Sequence, residues 1–170
     1  MIPVLVAATA ALGQSPAPRV FPKITAANLS GKSFAMPGAF EGDLNVVLIA
    51  FERDQQKDLD TWLAVLPQLL APFPKVGYYE LPTIAKLNGM TRWFIDTGMR
   101  SGIKDKAQRD RTITLFIDKK PFKESLGIDS EKTVYAMLLD HAGNVLWRVD
   151  GTADAGKTAA LKAALEKATK

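Results

Sequence analysis

The chain has no cysteine in its 170 residues and only one histidine. The first absence removes disulfides, thiolate nucleophiles, CxxC redox pairs and zinc–thiolate sites together. The second leaves little for a metal site or a Ser/His/Asp triad. His141 sits in an Asp-His-Ala-Gly-Asn turn, where polar residues are ordinary. No metal and no cofactor are expected. A strong charge excess is also missing: 22 Lys+Arg against 18 Asp+Glu leave +4, too mild a balance to indicate nucleic acid. No apolar run reaches the roughly 20 residues that a membrane span needs. No repeat or low-complexity tract is present.

A hydrophobic share of 47% over this length suits one domain with a real core. Ile2 to Leu12 is uncharged and apolar, and small residues follow at Gly13, Ser15 and Ala17. Residues 1–13 therefore read as a signal peptide, although no positive residue beyond the amino terminus precedes the apolar run. The competing reading is a buried first strand or helix. Gln14 to Arg19 reads as a linker and residues 20–170 as the domain. A periplasmic or secreted location follows, without a transmembrane anchor in the mature chain. The lack of cysteine also excludes a lipoprotein anchor.

Two short extended pieces are expected between Val20 and Phe40, around a turn at Leu29-Ser30-Gly31-Lys32. Leu44 to Glu52 is a β-branched run apolar on both faces, as a covered central strand requires. Asp54 then reads as a helix N-cap. Leu59, Trp62, Leu63, Leu66 and Leu70 follow as one apolar stripe, which Pro67 is expected to kink or end. Val76 to Leu81 reads as a strand stopped by Pro82. Met90, Trp93, Phe94 and Thr97 share a helix face ending near Gly98 or Gly102. Thr112 to Ile117 reads as a strand, and Phe122 to Leu126 as a short helix. Val134 to Leu139 and Asn144 to Val149 form a hairpin. Ala155 to Ala168 closes the chain as a helix. Helix–strand alternation implies parallel pairing, and the hairpin adds antiparallel strands. The fold class is α/β, a mixed central sheet with helices on both faces.

Phe34-Ala35-Met36 after Leu29-Ser30-Gly31-Lys32, then Asn45 to Phe51, then Leu138-Leu139-Asp140 and Gly143 to Arg148 with Gly151, resemble the thioredoxin-like fold. The version resembled is that of envelope thiol oxidoreductases and peroxiredoxins. It covers most of Val20 to Ala168. The resemblance places that family's redox cysteines near Gln56 and Leu59, and its cis-proline near Thr133 or Val134. None of these residues is of the required type, so the shell is kept and the thiol site is gone. A narrower resemblance joins Tyr79-Glu80-Leu81-Pro82, Arg92 to Asp96, Gly98-Met99-Arg100 and the Tyr135-to-Gly151 hairpin to mitochondrial assembly factors of ATP synthase. It implies partner binding or a chaperone-like role.

Three constellations could carry function. Glu52, Arg53, Asp54 and Gln55 lie at the end of a core strand, where open α/β sheets bind ligands. They read either as a small-ligand site or as capping and solvation. Arg92, Asp96 and Arg100 share a helix face at i, i+4 and i+8, and read either as mutual ion pairs or as part of a docking face. From Arg100 to Lys123 eight basic residues meet three acids, among them Arg109 and Arg111. That stretch reads as solvated surface or as a face for an acidic partner, an anionic surface or a small anion. Gly151 to Thr158 matches G-x-x-x-x-G-K-[ST]. A nucleotide site needs an acid-bearing strand parallel to the loop's own, whereas this strand belongs to a hairpin, so the match is read as a glycine turn. No catalytic residue is assigned. The sequence thus points to a non-catalytic binding or assembly module with a protein partner. The alternative is a small-anion binder or non-thiol enzyme using the Glu52–Gln55 loop, and a third reading is a structural domain within a larger complex.

Overall fold

The β-branched run forms β3 (Leu44–Ala50), with all seven residues buried. It holds the centre of a five-stranded sheet of order β5-β4-β3-β6-β7. The other strands are β4 (Val76–Ala85), β5 (Leu115–Ile117), β6 (Tyr135–Asp140) and β7 (Val145–Asp150). β3–β4 and β4–β5 are parallel, and β3–β6 and β6–β7 antiparallel. A separate hairpin pairs β1 (Ile24–Ala27) with β2 (Ser33–Met36) across a turn whose Gly31 has φ +90°. The computed structural model describes residues 18–86 and 88–170, without the side chains of Met90, Trp93 and Phe94. The expected signal segment, most of the linker and those three side chains of the expected helix face lie outside the described residues.

The two faces of the sheet bury separate cores. On one side Val46, Leu48 and Leu138 meet Leu59, Trp62 and Leu66 of α1 (Gln56–Leu70) and Leu161 and Leu165 of α5 (Ala155–Ala168). On the other, Val47, Ile49 and Met137 meet Phe34 and Met36 of the hairpin, Phe21, and Phe122 and Leu126 of α4 (Lys119–Leu126). Two faces covered by apolar stripes explain why β3 needs no polar alternation.

α2 (Gly89–Gly102) and α3 (Lys106–Arg111) fill the connection between β4 and β5. Their N-caps, Asn88 and Asp105, accept backbone N–H groups, as do Asp118 for α4 and Asp154 for α5.

Several expectations are corrected. Asp54 is not the N-cap: it lies inside a 3-10 turn (Arg53–Gln55) that Glu52 precedes, and α1 starts only at Gln56. Pro67 does not end α1, which runs on to Leu70, because only the last turn follows it and Leu66 and Leu70 stay buried. Pro82 does not stop β4. It pairs with Ala50, the last residue of β3, and β5 takes over from Thr83, so its missing N–H falls at the handover between neighbours. The Thr112–Ile117 strand is shorter than expected, with Thr112 and Ile113 making isolated bridges to Glu80 and Asn28. α3 was not legible as a separate helix.

Candidate functional site

The loop after β3 is organised by one buried side chain. Gln55 is 4% exposed. Its Oε1 accepts from the N–H groups of Phe51 (2.8 Å) and Glu52 (3.3 Å), and its Nε2 donates to the carbonyl of Glu131 (2.6 Å). Gln55 is therefore committed to joining this loop to the turn before β6. Glu52, Arg53 and Asp54 stay exposed. The four residues read from the sequence as one cluster are divided between an internal staple and a solvated rim.

Beside the staple, cations rest on aromatic rings. Phe51 and Tyr135 pack edge to face, with ring centroids 6.4 Å apart. Lys119 Nζ lies 5.9 Å from the centre of the Phe51 ring, and the Arg148 guanidinium 5.1 Å from that of Tyr135. Glu131 accepts from Lys119 Nζ (2.5 Å) and Lys123 Nζ (2.7 Å). Those two bonds hold its carboxyl below the usual carboxylate range. Arg148 Nε is buried and has no hydrogen-bond partner among the described residues. In the sequence Lys119 and Lys123 counted only as part of the basic stretch, and Glu131, Tyr135 and Arg148 carried no functional signal, because the five come from four separate segments.

Glu80 lies on the α1 side of β4 and is 2% exposed. Among the described residues it accepts only from neutral donors: Gln56 Nε2 (3.4 Å), Gln108 Nε2 (3.3 Å) and Thr112 Oγ1 (3.4 Å). Burial raises its pKa and these three bonds only partly oppose it. An acid inside an otherwise apolar strand was the signal that could have found it.

The residues expected to form a docking face are split. Arg92 and Arg100 are exposed on α2, with half-buried Asp96 between them. Burial raises the Asp96 pKa, and the two guanidiniums oppose that rise. Arg92 lies over the Phe116 ring at 4.8 Å. Arg109 turns inward, its Nη1 donating to the carbonyls of Ile103 (2.8 Å) and Lys104 (2.7 Å). It closes the α2–α3 connection. Arg111 covers the Tyr78 ring at 4.4 Å. It lines a half-open cleft of about 620 Å³ together with Ser30, Lys32, Tyr78, Lys106 and Asp110, at the start of β4 and away from the Gln55 loop. Two of the three cations lining it are paired, Lys106 with Asp110 at 2.7 Å and Lys32 with Glu41, while Arg111 rests on the Tyr78 ring.

The Gly151–Thr158 loop is engaged elsewhere. The Gly151 carbonyl accepts from Trp62 Nε1 (2.9 Å), and the Ala153 N–H donates to Thr61 Oγ1 (2.8 Å). Lys157 Nζ folds back onto the Thr152 carbonyl at 2.9 Å.

No protein-family model matches the chain, and no curated protein matches it. Solved structures do. The thioredoxin domain of a thiol-disulfide oxidoreductase from Bacteroides vulgatus superposes with a TM-score of 0.52 at 20% identity, over 92% of this chain and 100% of that one. BsSco, of the Sco family of cytochrome c oxidase assembly proteins, gives 0.57 at 11%, over 89% and 96%. A thiol:disulfide interchange protein of the thioredoxin family from Chlorobium tepidum gives 0.55 at 11%, over 92% and 99%. The narrower likeness to ATP synthase assembly factors finds no support in these comparisons. The sheet order, the two-sided core and these superpositions give one conclusion: the chain has the thioredoxin-like fold, and it carries that fold without a cysteine.

Proposed function

We propose that the chain is an exported, non-redox binding module that holds an acidic protein partner against α2. The observation that carries this reading is Gln55. The loop that opens α1 is stapled shut by its three hydrogen bonds, and Gln56 and Leu59 stand where the resemblance places the redox cysteines. A loop so tied supports a rigid scaffold, and function then rests on the surface.

Arg92 and Arg100 are the exposed cations of that surface, two turns apart on one face of α2. Lys104 extends the charge along the same connection, whereas Lys106 is paired with Asp110. An acidic segment lying along α2 would meet them without desolvating a buried pair. Arg109 braces the connection that follows α2, Arg111 lies over Tyr78 in the cleft at the start of β4, and neither is expected to touch the partner. The apolar amino-terminal segment and the fold's likeness to an exposed lipoprotein thioredoxin of Streptococcus pneumoniae favour a location outside the cytoplasm.

The test is capture from envelope extract with the tagged chain as bait, comparing wild type with the Arg92→Glu/Arg100→Glu double variant. A partner retained by the first and lost by the second, at equal melting temperature, supports the reading. Equal capture by both removes α2 as the docking face.

A further inference from the structure

We propose that the cleft at the start of β4 is a docking site for the extended carboxyl-terminal end of a polypeptide, whose backbone pairs with the open edge of β4 at Tyr78 and whose terminal carboxylate meets Arg111. The site is distinct from the α2 face and stands or falls independently of it.

β4 is longer than the strand beside it. β3 pairs with it from Val76 to Pro82, whereas β5 joins the other edge only at Thr83, after a bridge between Thr112 and Glu80. Val76 to Tyr79 therefore has one edge covered and, among the described residues, no strand on the other. The backbone groups of successive residues point to opposite edges of a strand. The Glu80 carbonyl points to the open side, where it accepts the Ile113 N–H at 2.9 Å. Tyr78, two residues earlier, presents its N–H and carbonyl to the same side, and neither has a hydrogen-bond partner among the described residues. The Val76 N–H is spent on the Phe73 carbonyl at 3.0 Å, which leaves the Val76 carbonyl as the next acceptor along this edge. Unpaired backbone groups on a strand edge are a template for another chain, and strand addition is a common way of binding extended peptides.

The walls fit the same ligand. The cleft is half open and measures about 620 Å³, so a short extended segment enters it without displacing the core. One wall is the β1–β2 hairpin, where Lys32 pairs with Glu41 and lies 5.0 Å from the centre of the Phe34 ring. The Tyr79 hydroxyl accepts the Glu41 N–H at 3.0 Å and ties that wall to β4. The other wall is α3, where Lys106 pairs with Asp110 at 2.7 Å. Arg111 is the one cation of the cleft without an acidic partner among the described residues. Its guanidinium rests on the Tyr78 ring at 4.4 Å, on the same residue whose backbone is open. Stacking orients the planar fork without neutralising it, and such a fork matches a carboxylate at two points. A chain end carries backbone donors and acceptors together with one carboxylate, which is the set this cleft leaves unmatched.

The experiment is a ¹H–¹⁵N NMR titration of the full chain, at constant ionic strength, with an N-acetylated tetrapeptide of alternating threonine and valine, a composition that favours the extended form. The same peptide with an amidated end, and two versions N-methylated at alternate amides, are titrated alongside. Saturable shifts are expected at the Tyr78 amide and the Arg111 Nε–H, with slower exchange of the Tyr78 N–H as it gains an acceptor. Amidation should weaken binding by at least about tenfold, the loss of one charge-assisted contact. Arg111→Gln should weaken the free acid by the same factor and leave the amide nearly unaffected, and Arg100→Gln should change neither. Only alternate peptide amides face β4, so one N-methylated version should lose binding and the other keep it. No saturable shift at Tyr78 overturns the proposal, as does equal affinity of the two N-methylated peptides or of acid and amide. An amidated peptide carrying one aspartate that binds as tightly as the free acid overturns the chain end as the source of the carboxylate. Should Arg111→Gln lower the melting temperature sharply, Arg111→Lys replaces it: charge kept and fork lost should still weaken binding, and unaltered binding overturns the proposal.

Discussion

Gln55 Nε2 donates to the Glu131 carbonyl at 2.6 Å, across 76 positions of sequence. This bond joins the loop that opens α1 to the turn that opens β6. Gln55→Ala removes it and leaves the Phe51 N–H without its acceptor. A loss of about 2–3 kcal/mol in urea unfolding is expected, because buried groups are left unsatisfied. A change under about 0.5 kcal/mol, the range of ordinary surface substitutions, would show that the staple does not hold the loop.

Glu80 makes stability depend on pH in an unusual direction. Its folded pKa lies above the ordinary carboxylate value because burial disfavours the charge. The folded state thus holds a proton that the unfolded state releases, and stability should fall as pH rises from the ordinary carboxylate range through the raised folded value. Glu131 acts oppositely: its lowered pKa contributes stability that is lost as pH falls through it. Glu80→Gln should flatten the fall on the alkaline side and leave the acid side unchanged. Denaturant midpoints measured from pH 4 to 8 (roughly the span over which displaced carboxyls titrate) check this. A variant with the wild-type slope refutes the assignment.

Trp62 is fully buried, and its indole N–H donates to the Gly151 carbonyl at 2.9 Å. Trp62→Phe keeps a ring but loses the bond and some volume. A cost of about 2–3 kcal/mol is expected from the unpaired carbonyl and the cavity together. The same substitution should loosen the 151–154 turn, which amide hydrogen exchange at Ala153 would report.

Gly42 leaves no room for a side chain. A Cβ there would stand 2.3 Å from the Leu44 carbonyl oxygen and 2.5 Å from the Gly77 nitrogen, both backbone atoms. Gly42→Ala should cost about 1–3 kcal/mol as an overpacked site. The control is Gly38→Ala, where nothing lies within 4 Å. Thermal melts of the pair should separate clearly, and equal melting temperatures would mean that the start of β3 yields easily.

Short-range pattern and composition were legible from the chain alone. The absence of cysteine settles that no thiol acts here. Leu44–Ala50 announces a doubly covered strand by its unbroken apolar run from Val46 to Ala50. The α1 stripe of Leu59, Trp62, Leu66 and Leu70, and the hairpin turning at Gly143, are equally local and were legible. Tertiary structure decided which polar groups are spent and which are free. Arg92, Arg100, Arg109 and Arg111 look alike in a charge run, yet two cover solvent-facing α2 while Arg109 closes a loop and Arg111 roofs Tyr78. Gln55 looks like a surface residue until the Glu131 carbonyl arrives beside it. Arg148 looks like the polar face of an edge strand until Tyr135 lies under it. The physical reason is range. Helix and strand periodicities act over a few residues, whereas the partners of Gln55 and Trp62 are 76 and 89 positions away and meet them only once the sheet has assembled.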